Sequence, residues 1–255
     1  MKKEKTPLSA SNFIDKVYVL SVKTFTDRIS HIQKEMSKNN IHFEFIFSHD
    51  IPEIDDATIS MFDRKKLTMA QISLTLKHIE AWRDAVKNNY KQILVFEDDV
   101  LLSKKFNREF KKIIIHTQTL TSGYLIFLGG ADTKIPASQL TSTDLLLKLP
   151  IATTEGYITD IEACKIRLEW LAKNKIILPA DHLIKIIDES MKIENFWSRL
   201  PIVEQGSVNG LFISHLDSNR RKHSIIFNAL RYQWNKLQRR KIRRWFAISK
   251  SKLKL

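Results

Sequence analysis

The first fifty residues show apolar and polar positions in a strand, helix, strand order. Residues 17–20 form a short β-branched and aromatic run, which predicts a buried strand. Residues 27–40 carry apolar side chains at the spacing of one helical face, and residues 41–47 alternate apolar and polar positions as a second strand would. This order is the usual start of a parallel sheet with helices on its faces, so we expect an α/β fold.

The same pattern continues through the middle of the chain. Residues 92–96 form the clearest strand, because their interior is a continuous apolar run typical of a strand buried on both faces. Residues 51–66 are predicted to be irregular or a short helix. The other elements predicted from the pattern are helices over 68–88, 106–120 and about 161–174, a buried strand over 124–128, and a short strand near 145–149.

The C-terminal segment has a different pattern. Its apolar residues fall at helical intervals, and Lys or Arg fills most of the other positions, which predicts a basic amphipathic helix with interfacial Trp side chains. The apolar positions are Ile226, Leu230, Trp234, Leu237, Ile242, Trp245 and Phe246.

The net charge of +14 belongs almost entirely to this segment. From Asn219 onward there are 13 Lys or Arg residues and no Asp or Glu, which leaves a net charge of +1 for residues 1–218. A chain of 255 residues, 43% of them hydrophobic, can bury one sizeable core. We therefore expect a flexible N-terminus over residues 1–14, one folded domain over 15–218 and a basic tail over 219–255.

The chain lacks the sequence features of a secreted or membrane-spanning protein. Cys164 is the only cysteine, which excludes an internal disulfide framework and fits a reducing compartment. The N-terminal residues contain no apolar run of about 7–15 residues, as a secretory signal would. No stretch approaches the roughly 18 apolar residues that a spanning helix needs. These features predict a cytoplasmic location.

An acidic cluster, defined as Glu97, Asp98 and Asp99, follows the clearest strand directly. Adjacent carboxylates repel one another, and partial burial penalises their charged forms. A hard divalent cation such as Mg²⁺ or Mn²⁺ relieves both effects, and ligands in α/β proteins bind beyond the carboxyl ends of strands. The alternative is a solvated acidic turn, and kinases, phosphatases and nucleases show similar patterns.

The neighbourhood of the cluster resembles glycosyltransferase family 25, the family of bacterial lipooligosaccharide galactosyltransferases. The likeness spans about residues 15–218 and keeps the family's motif order. The segments that carry it are Val19-Leu20-Ser21 with Arg28, the helix Leu67–Trp82 containing His78, the run Ile93–Leu101, Thr153–Thr159, Pro179-Ala180-Asp181, and Pro201–Gln205. Lys77 stands where the family pattern has Ser, and Thr153 where it has Gly.

This resemblance implies a GT-A-type fold and an inverting transfer from a UDP-sugar, most often UDP-galactose, to a lipooligosaccharide or related glycolipid acceptor. It also implies a divalent metal, Mn²⁺ or Mg²⁺, between the donor diphosphate and the acidic cluster. Asp99 is the first candidate for direct coordination, and Asp98 and His215 are the other candidate ligands.

The resemblance also suggests roles for other residues. An inverting displacement needs a base for the acceptor hydroxyl, for which Asp181 is the first candidate and Glu155 the second. Asp181 could instead cap the following helix. His78 is expected on the polar side of its helix. The candidate donor-binding residues are Leu20, Ser21, Arg28, His78, Glu97, Asp98, Thr154, Tyr157 and Gln205.

The basic tail has two possible partners. Clustered Lys and Arg with Trp residues suit the anionic inner face of the inner membrane, where an enzyme for a lipid-linked sugar would work. A nucleic-acid-associated protein acting through this helix is the alternative, although no base-reading motif accompanies it.

Overall fold

A computed structural model describes residues 13–130, 139, 142–150, 153–207, 211–212, 230, 233–234 and 237. Within these ranges the α-helices are α1 (Thr26–Lys38), α2 (Asp56–Ser60), α3 (Met69–Lys87), α4 (Phe106–Thr117), α5 (Ile161–Leu171) and α6 (Ala180–Met191). The strands are β1 (Lys16–Leu20), β2 (Glu44–Ile46), β3 (Gln92–Glu97), β4 (Val100–Leu102), β5 (Tyr124–Phe127), β6 (Leu146–Lys148), β7 (Gly156–Asp160), β8 (Glu194–Ser198) and β9 (Val203–Gln205).

Seven strands form the central sheet in the order β2-β1-β3-β7-β5-β8-β6, and β4 pairs with β9 in a small separate sheet. Strands β2, β1, β3, β5 and β8 run in one direction, whereas β7 and β6 run in the other. The predicted α/β architecture is confirmed. The sheet is mixed, because the antiparallel strand β7 lies between β3 and β5.

Alternate residues of the central strands enter two separate apolar layers. Tyr18 and Val95 pack on the face covered by α3, α5 and α6. Val19 and Phe96 pack on the opposite face, beneath α1 and α4. Because both faces of the sheet are covered, these strands need apolar residues at every position, which explains their continuous apolar runs.

The predicted element bounds hold best for the long and strongly patterned segments. The helix expected over 68–88 is observed as α3, and the strand expected over 92–96 is observed as β3. The strand expected over 41–47 is shorter than predicted, because only β2 pairs with β1. Strands β4, β7, β8 and β9 were not predicted.

A buried ion pair joins the two helices that follow β7. The Arg167 guanidinium on α5 donates two hydrogen bonds of 2.7 Å to the Asp188 carboxylate on α6, and both side chains are fully buried. Arg167 also donates to Thr159 of β7 at 2.9 Å, and Asn195 of β8 donates to Asp188 at 3.1 Å. The pair therefore fixes α5 and α6 against the middle of the sheet.

The predicted N-terminus and tail fall largely outside the described residues. Of the predicted C-terminal helix, the described positions Leu230, Gln233, Trp234 and Leu237 are helical and exposed. The boundary expected at residue 218 also lies outside the described ranges. No helix in the described part of the chain is long and apolar enough to cross a membrane.

Candidate active site

A cleft of about 620 Å³ opens at the carboxyl ends of β1 and β3. Its walls come from the loop between β1 and α1, the residues that follow β2, the first turns of α3, the acidic cluster, and Gln205 and Ser207 at the end of β9. Six of the candidate donor-binding residues line this cleft together with Asp99. The six are Leu20, Ser21, Arg28, Glu97, Asp98 and, from β9, Gln205.

All three carboxylates of the acidic cluster are buried, with exposed fractions of 8% for Glu97, 5% for Asp98 and 2% for Asp99. The apolar interior of β3 is fully buried, and the cluster occupies its last residue and the turn before β4. A solvated acidic turn, the alternative interpretation of this motif, is therefore wrong. Each buried carboxylate therefore needs hydrogen bonds or a nearby cation to replace the water that it has lost.

Asp98 is compensated by a cation and a hydroxyl. Its Oδ1 accepts a hydrogen bond of 2.8 Å from the Arg28 guanidinium, and its Oδ2 accepts one of 2.8 Å from Ser21 Oγ. Burial raises the pKa of Asp98, and the charge of Arg28 opposes that rise. Both carboxylate oxygens of Asp98 are thus engaged, one by α1 and the other by the loop that follows β1.

Glu97 is compensated differently. Its Oε1 accepts a hydrogen bond of 2.6 Å from Thr154 Oγ1. Burial raises the pKa of Glu97 to about 8, and the neighbouring charge of Asp99 is the next cause of the rise. Glu97 therefore holds a proton at neutral pH when no cation is bound.

Asp99 is compensated only in part. Its Oδ2 accepts the Ser207 N–H at 3.1 Å, and its carbonyl oxygen accepts the Gly206 N–H at 2.7 Å. A Cβ at position 206 would lie 2.6 Å from that carbonyl oxygen, so this approach requires glycine. Within the described residues, Asp99 Oδ1 is buried without a hydrogen-bond partner. A buried carboxylate oxygen in this state favours a ligand from outside the described residues.

The cleft carries more negative than positive charge. Among the described residues that line it, each of the three cations is paired with a carboxylate: Lys23 with Glu53, Arg28 with Asp98, and Lys77 with Asp50. Glu97 and Asp99 have no cationic partner among these pairs. A diphosphate entering this cleft would meet net repulsion unless a cation came with it.

Two ion pairs in the cleft wall were not predicted as part of the site: Lys77 with Asp50, and Lys23 with Glu53. A signal for Asp50 was present, because it follows the predicted second strand and so lies at the same edge of the sheet as the acidic cluster. Nothing in the sequence indicates that Lys77, within a long helix, reaches that loop.

Glu155 and Thr154 lie beside the cluster without lining the cleft. The Glu155 carboxylate accepts the Gly130 N–H, and its carbonyl oxygen accepts the Glu97 N–H at 3.1 Å. A Cβ at Gly129 would lie 2.3 Å from the Glu155 carboxylate, so a glycine there is needed to admit it. Glu155 is thus a second buried carboxylate next to Glu97, whose pKa its charge also raises.

His78 and Tyr157 belong to the core beneath the cleft. The expectation that His78 lies on the polar side of α3 is wrong, because its side chain is fully buried. Trp82 Nε1–H donates to the Tyr157 hydroxyl at 3.1 Å, and the same hydroxyl lies 2.9 Å from His78 Nδ1, in a hydrogen bond whose donor depends on the imidazole tautomer. Burial favours the neutral imidazole, and His78 Nε2 has no hydrogen-bond partner among the described residues.

Asp181 occupies the first turn of α6 and is half-buried. Its carboxylate accepts the N–H of His182 at 2.8 Å, and it is not part of the cleft wall. The alternative role as a helix cap is wrong, because Pro179 occupies the N-cap position. His215 lies outside the described residues.

The described residues contain no group of three or more His, Cys, Asp or Glu side chains arranged to hold a metal ion by themselves. Asp99, with one oxygen unpaired, remains the side chain of the cluster that is best able to bind one.

A family model for glycosyltransferase family 25, described as a lipopolysaccharide biosynthesis protein family, matches residues 14–184, about two thirds of the chain. The chain belongs to glycosyltransferase family 25. The matched region includes α3, the acidic cluster and Glu155, whereas Gln205, Gly206 and Ser207 follow it.

Three curated proteins are similar to this family 25 chain. A "Putative glycosyltransferase" of Haemophilus influenzae is 37% identical over 94 residues, 34% of this chain and 33% of that protein. "Lipooligosaccharide biosynthesis protein lic2B" of the same species is 28% identical over 181 residues, 66% of each protein. A "Glycosyltransferase 25 family member" of Anopheles gambiae is 21% identical over 196 residues, 71% of this chain and 33% of that protein. The matches therefore span a third to two thirds of these relatives' lengths.

The buried state of His78 predicts a specific pH dependence of stability. Burial, with the charge of Arg167 as the second cause, lowers the pKa of His78 from 6.5 to about 3 in this family 25 chain. In the unfolded chain His78 therefore binds a proton below about pH 6.5, whereas in the folded chain it binds one only below about pH 3. Between pH 7.5 and 5 the wild-type protein should lose about 2 kcal/mol of unfolding free energy through this group alone.

Urea unfolding of the wild type and of His78→Gln at both pH values measures this effect. The variant is expected to be less stable at pH 7.5 but to lose about 2 kcal/mol less than the wild type on acidification. Equal losses in the two proteins would contradict a buried neutral imidazole.

Proposed function

We propose that this chain is an inverting, metal-dependent glycosyltransferase of GT-A type. It moves a hexose, with galactose as the preferred sugar, from a UDP-sugar to a lipooligosaccharide or related glycolipid acceptor. The observation that carries the proposal is Asp99 Oδ1, which is buried without a partner among the described residues, beside a cleft at the carboxyl ends of β1 and β3. The similarity to the lipooligosaccharide biosynthesis protein lic2B of Haemophilus influenzae supports the acceptor class.

The fold suits a nucleotide-sugar donor. In α/β proteins ligands bind in the crevice beyond the carboxyl ends of the strands, and the cleft occupies that position. A cleft of about 620 Å³ is large enough for a nucleotide-sized ligand. Its apolar wall residues can pack against a nucleobase. Among the apolar wall residues are Val22, Phe25, Ile51, Pro52, Ala70 and Leu74.

The residues fit a cation that is shared with the donor. Mg²⁺ in nucleotide enzymes is usually bound through one or two carboxylates together with substrate phosphates. Asp99 supplies an oxygen without a partner among the described residues, and the excess negative charge of the described cleft walls favours a diphosphate that enters together with a cation. When bound, Mn²⁺ or Mg²⁺ would neutralise the charge that develops on the leaving diphosphate.

The neighbours of Asp99 have supporting roles in this proposal. Asp98 holds Arg28 at the cleft wall, because both its oxygens are engaged, and Arg28 can then face the donor phosphates. Ser207 N–H fixes one oxygen of Asp99 so that the other stays directed for binding. His215 remains a proposed further ligand.

Glu155 is our preferred base for the acceptor hydroxyl. Neither candidate lines the cleft, but Glu155 lies next to the acidic cluster through its contacts with Glu97 and Gly130, whereas the Asp181 carboxylate contacts only its own helix. Asp181 is the second candidate.

The exposed apolar residues of the tail support a membrane partner. Leu230, Trp234 and Leu237 are 65%, 55% and 41% exposed and recur at helical spacing. The segment from Asn219 also carries 13 Lys or Arg and no acidic residue. An apolar stripe with surrounding positive charge matches the anionic inner face of the inner membrane, where a lipid-linked acceptor is available.

Substitution of Asp99 tests the cation site. Asp99→Asn keeps the size and the contact with Ser207 but removes the charge, so transfer from UDP-galactose with Mn²⁺ is expected to fall by about 100-fold or more. Asp27→Asn, an exposed carboxylate on α1, is the control and should leave the rate unchanged. A rate for Asp99→Asn equal to the wild type, with the same Mn²⁺ dependence, would exclude the proposed cation site.

Paired substitutions distinguish the two candidate bases. Glu155→Gln can still accept the Gly130 N–H but cannot take a proton, so kcat should drop by about 10²–10⁴ while donor binding persists. Asp181→Asn should keep kcat within about threefold of the wild type, since its carboxylate contacts only its own helix. The reverse ranking of the two variants would reassign the base to Asp181.

Substitution of the tail's exposed residues tests the membrane partner. The full-length variant with Leu230→Ala and Trp234→Ala should bind phosphatidylglycerol vesicles about tenfold or more weakly than the wild type, while transfer to a soluble acceptor is retained. Leu211→Ala, which removes an exposed leucine outside the tail, is the control. Wild-type vesicle binding by the double variant, or salt-sensitive RNA or DNA binding without any vesicle binding, would favour the nucleic-acid alternative.

A further inference from the structure

Lys77 is a buried cation at the edge of the cleft. It lies in the middle of α3, its side chain is 2% exposed, and it forms part of the cleft wall. Its Nζ donates hydrogen bonds to the Ser48 carbonyl oxygen at 2.6 Å and to Asp50 Oδ1 at 2.8 Å. A lysine is almost never buried to this extent unless it is paired, so these two contacts determine where the ammonium lies.

The turn that Lys77 holds has an uncommon backbone conformation. His49 has a φ of +66°, in the left-handed region that residues other than glycine rarely adopt. Its carbonyl oxygen accepts a hydrogen bond of 2.6 Å from Ser73 Oγ. Ser73 and Lys77 are four residues apart and therefore lie on the same face of α3. Two side chains of one helical face thus hold residues 48–50, which offsets the cost of the left-handed residue.

The same ion pair reaches the opposite loop of the cleft. Asp50 Oδ2 accepts the backbone N–H of Lys23 at 3.0 Å, in the loop between β1 and α1. The Lys23 ammonium in turn pairs with Glu53, three residues after Asp50. Asp50 therefore joins three elements: α3 through Lys77, its own turn, and the loop that follows β1.

Burying the charged ammonium of Lys77 costs free energy that an apolar side chain at the same position would not cost. Burial lowers the pKa of Lys77, and Asp50 opposes that shift. Replacing a buried ion pair by apolar residues of similar volume is often neutral or stabilising in proteins. The stability of the core therefore gives no reason for a charged residue here, whereas the arrangement of the two loops does.

We infer that Lys77 is the positioning residue of the cleft: through Asp50, its ammonium sets the relative position of the 21–25 and 48–53 loops, between which the nucleotide part of the donor binds. This inference rests on the proposed function for the identity of the ligand. Lys77 does not contact the reacting groups in this account, so its contribution lies in donor affinity rather than in the rate of the chemical step.

Lys77→Met tests the inference, because it keeps the aliphatic stem and removes the ammonium. Hydrogen–deuterium exchange should become faster in peptides covering residues 21–25 and 48–53, and stay unchanged in peptides covering β7. The Kd of UDP with Mn²⁺ and the KM for UDP-galactose should rise about tenfold or more, while kcat at saturation stays within about threefold. Lys87→Met, an exposed lysine at the end of the same helix, should behave as the wild type.

The double variant Lys77→Met with Asp50→Asn separates positioning from simple stabilisation. It removes the unpaired carboxylate, so its Tm should return towards the wild-type value, but the weak binding of UDP with Mn²⁺ should persist. Recovery of both Tm and affinity would overturn the inference, because Lys77 would then serve only to neutralise Asp50.

Hydrogen–deuterium exchange and the affinity for UDP with Mn²⁺ also separate this inference from the proposed function. Unchanged exchange in both loops of Lys77→Met overturns the positioning role whatever the ligand is. Faster exchange with unchanged affinity for UDP and Mn²⁺ overturns it as well, since loop position would not control the site. A wild-type protein that binds no UDP with Mn²⁺ counts against the proposed function, and the positioning of the loops is then judged by exchange alone.

Discussion

Three carboxylates lie buried side by side at the end of β3, and the candidate site depends on how their mutual repulsion is relieved. Asp98 is paired with Arg28, Glu97 holds a proton, and Asp99 receives a single backbone N–H on one oxygen. Each of these contacts comes from a different part of the fold, so α1, the residues before β7 and the residues after β9 all meet at this turn. Asp99 Oδ1 is buried without a hydrogen-bond partner among the described residues, and this oxygen makes the turn a candidate cation site.

The opposite wall of the cleft also depends on the pairing of buried charges. Lys77 and Asp50 are both buried, and either charge would destabilise the fold if the other were removed. Their pairing fixes two loops at once, one of them through a left-handed residue at His49. The cleft thus has a wall made of satisfied ion pairs and a floor with excess negative charge. This combination suits a ligand whose diphosphate arrives with a divalent cation, because the paired wall can shape the nucleotide pocket without adding to the charge that the cation must neutralise.

The sequence predicts the parts of this structure that arise from local periodicity. Strand β3 and helix α3 are recognisable because each is long and strongly patterned, and the acidic cluster is recognisable because it interrupts an apolar run. Strands β8 and β9 were missed because they are short and carry polar residues such as Asn195 and Glu204. His78 was placed on the wrong side of α3, because that helix buries several polar residues whose partners, such as Tyr157, are distant in the sequence. The contact between Lys77 and Asp50 depends on tertiary packing and leaves no trace in a single sequence.

The central claim is that the cleft binds a nucleoside diphosphate only together with a divalent cation. Thermal denaturation of the wild-type protein with UDP, in the presence of Mn²⁺ and in the presence of EDTA, tests it most directly. The account predicts that UDP raises the Tm when Mn²⁺ is present and has little effect in EDTA, because the carboxylates of the cluster then repel the diphosphate. Equal stabilisation by UDP under both conditions, or none under either, would contradict it.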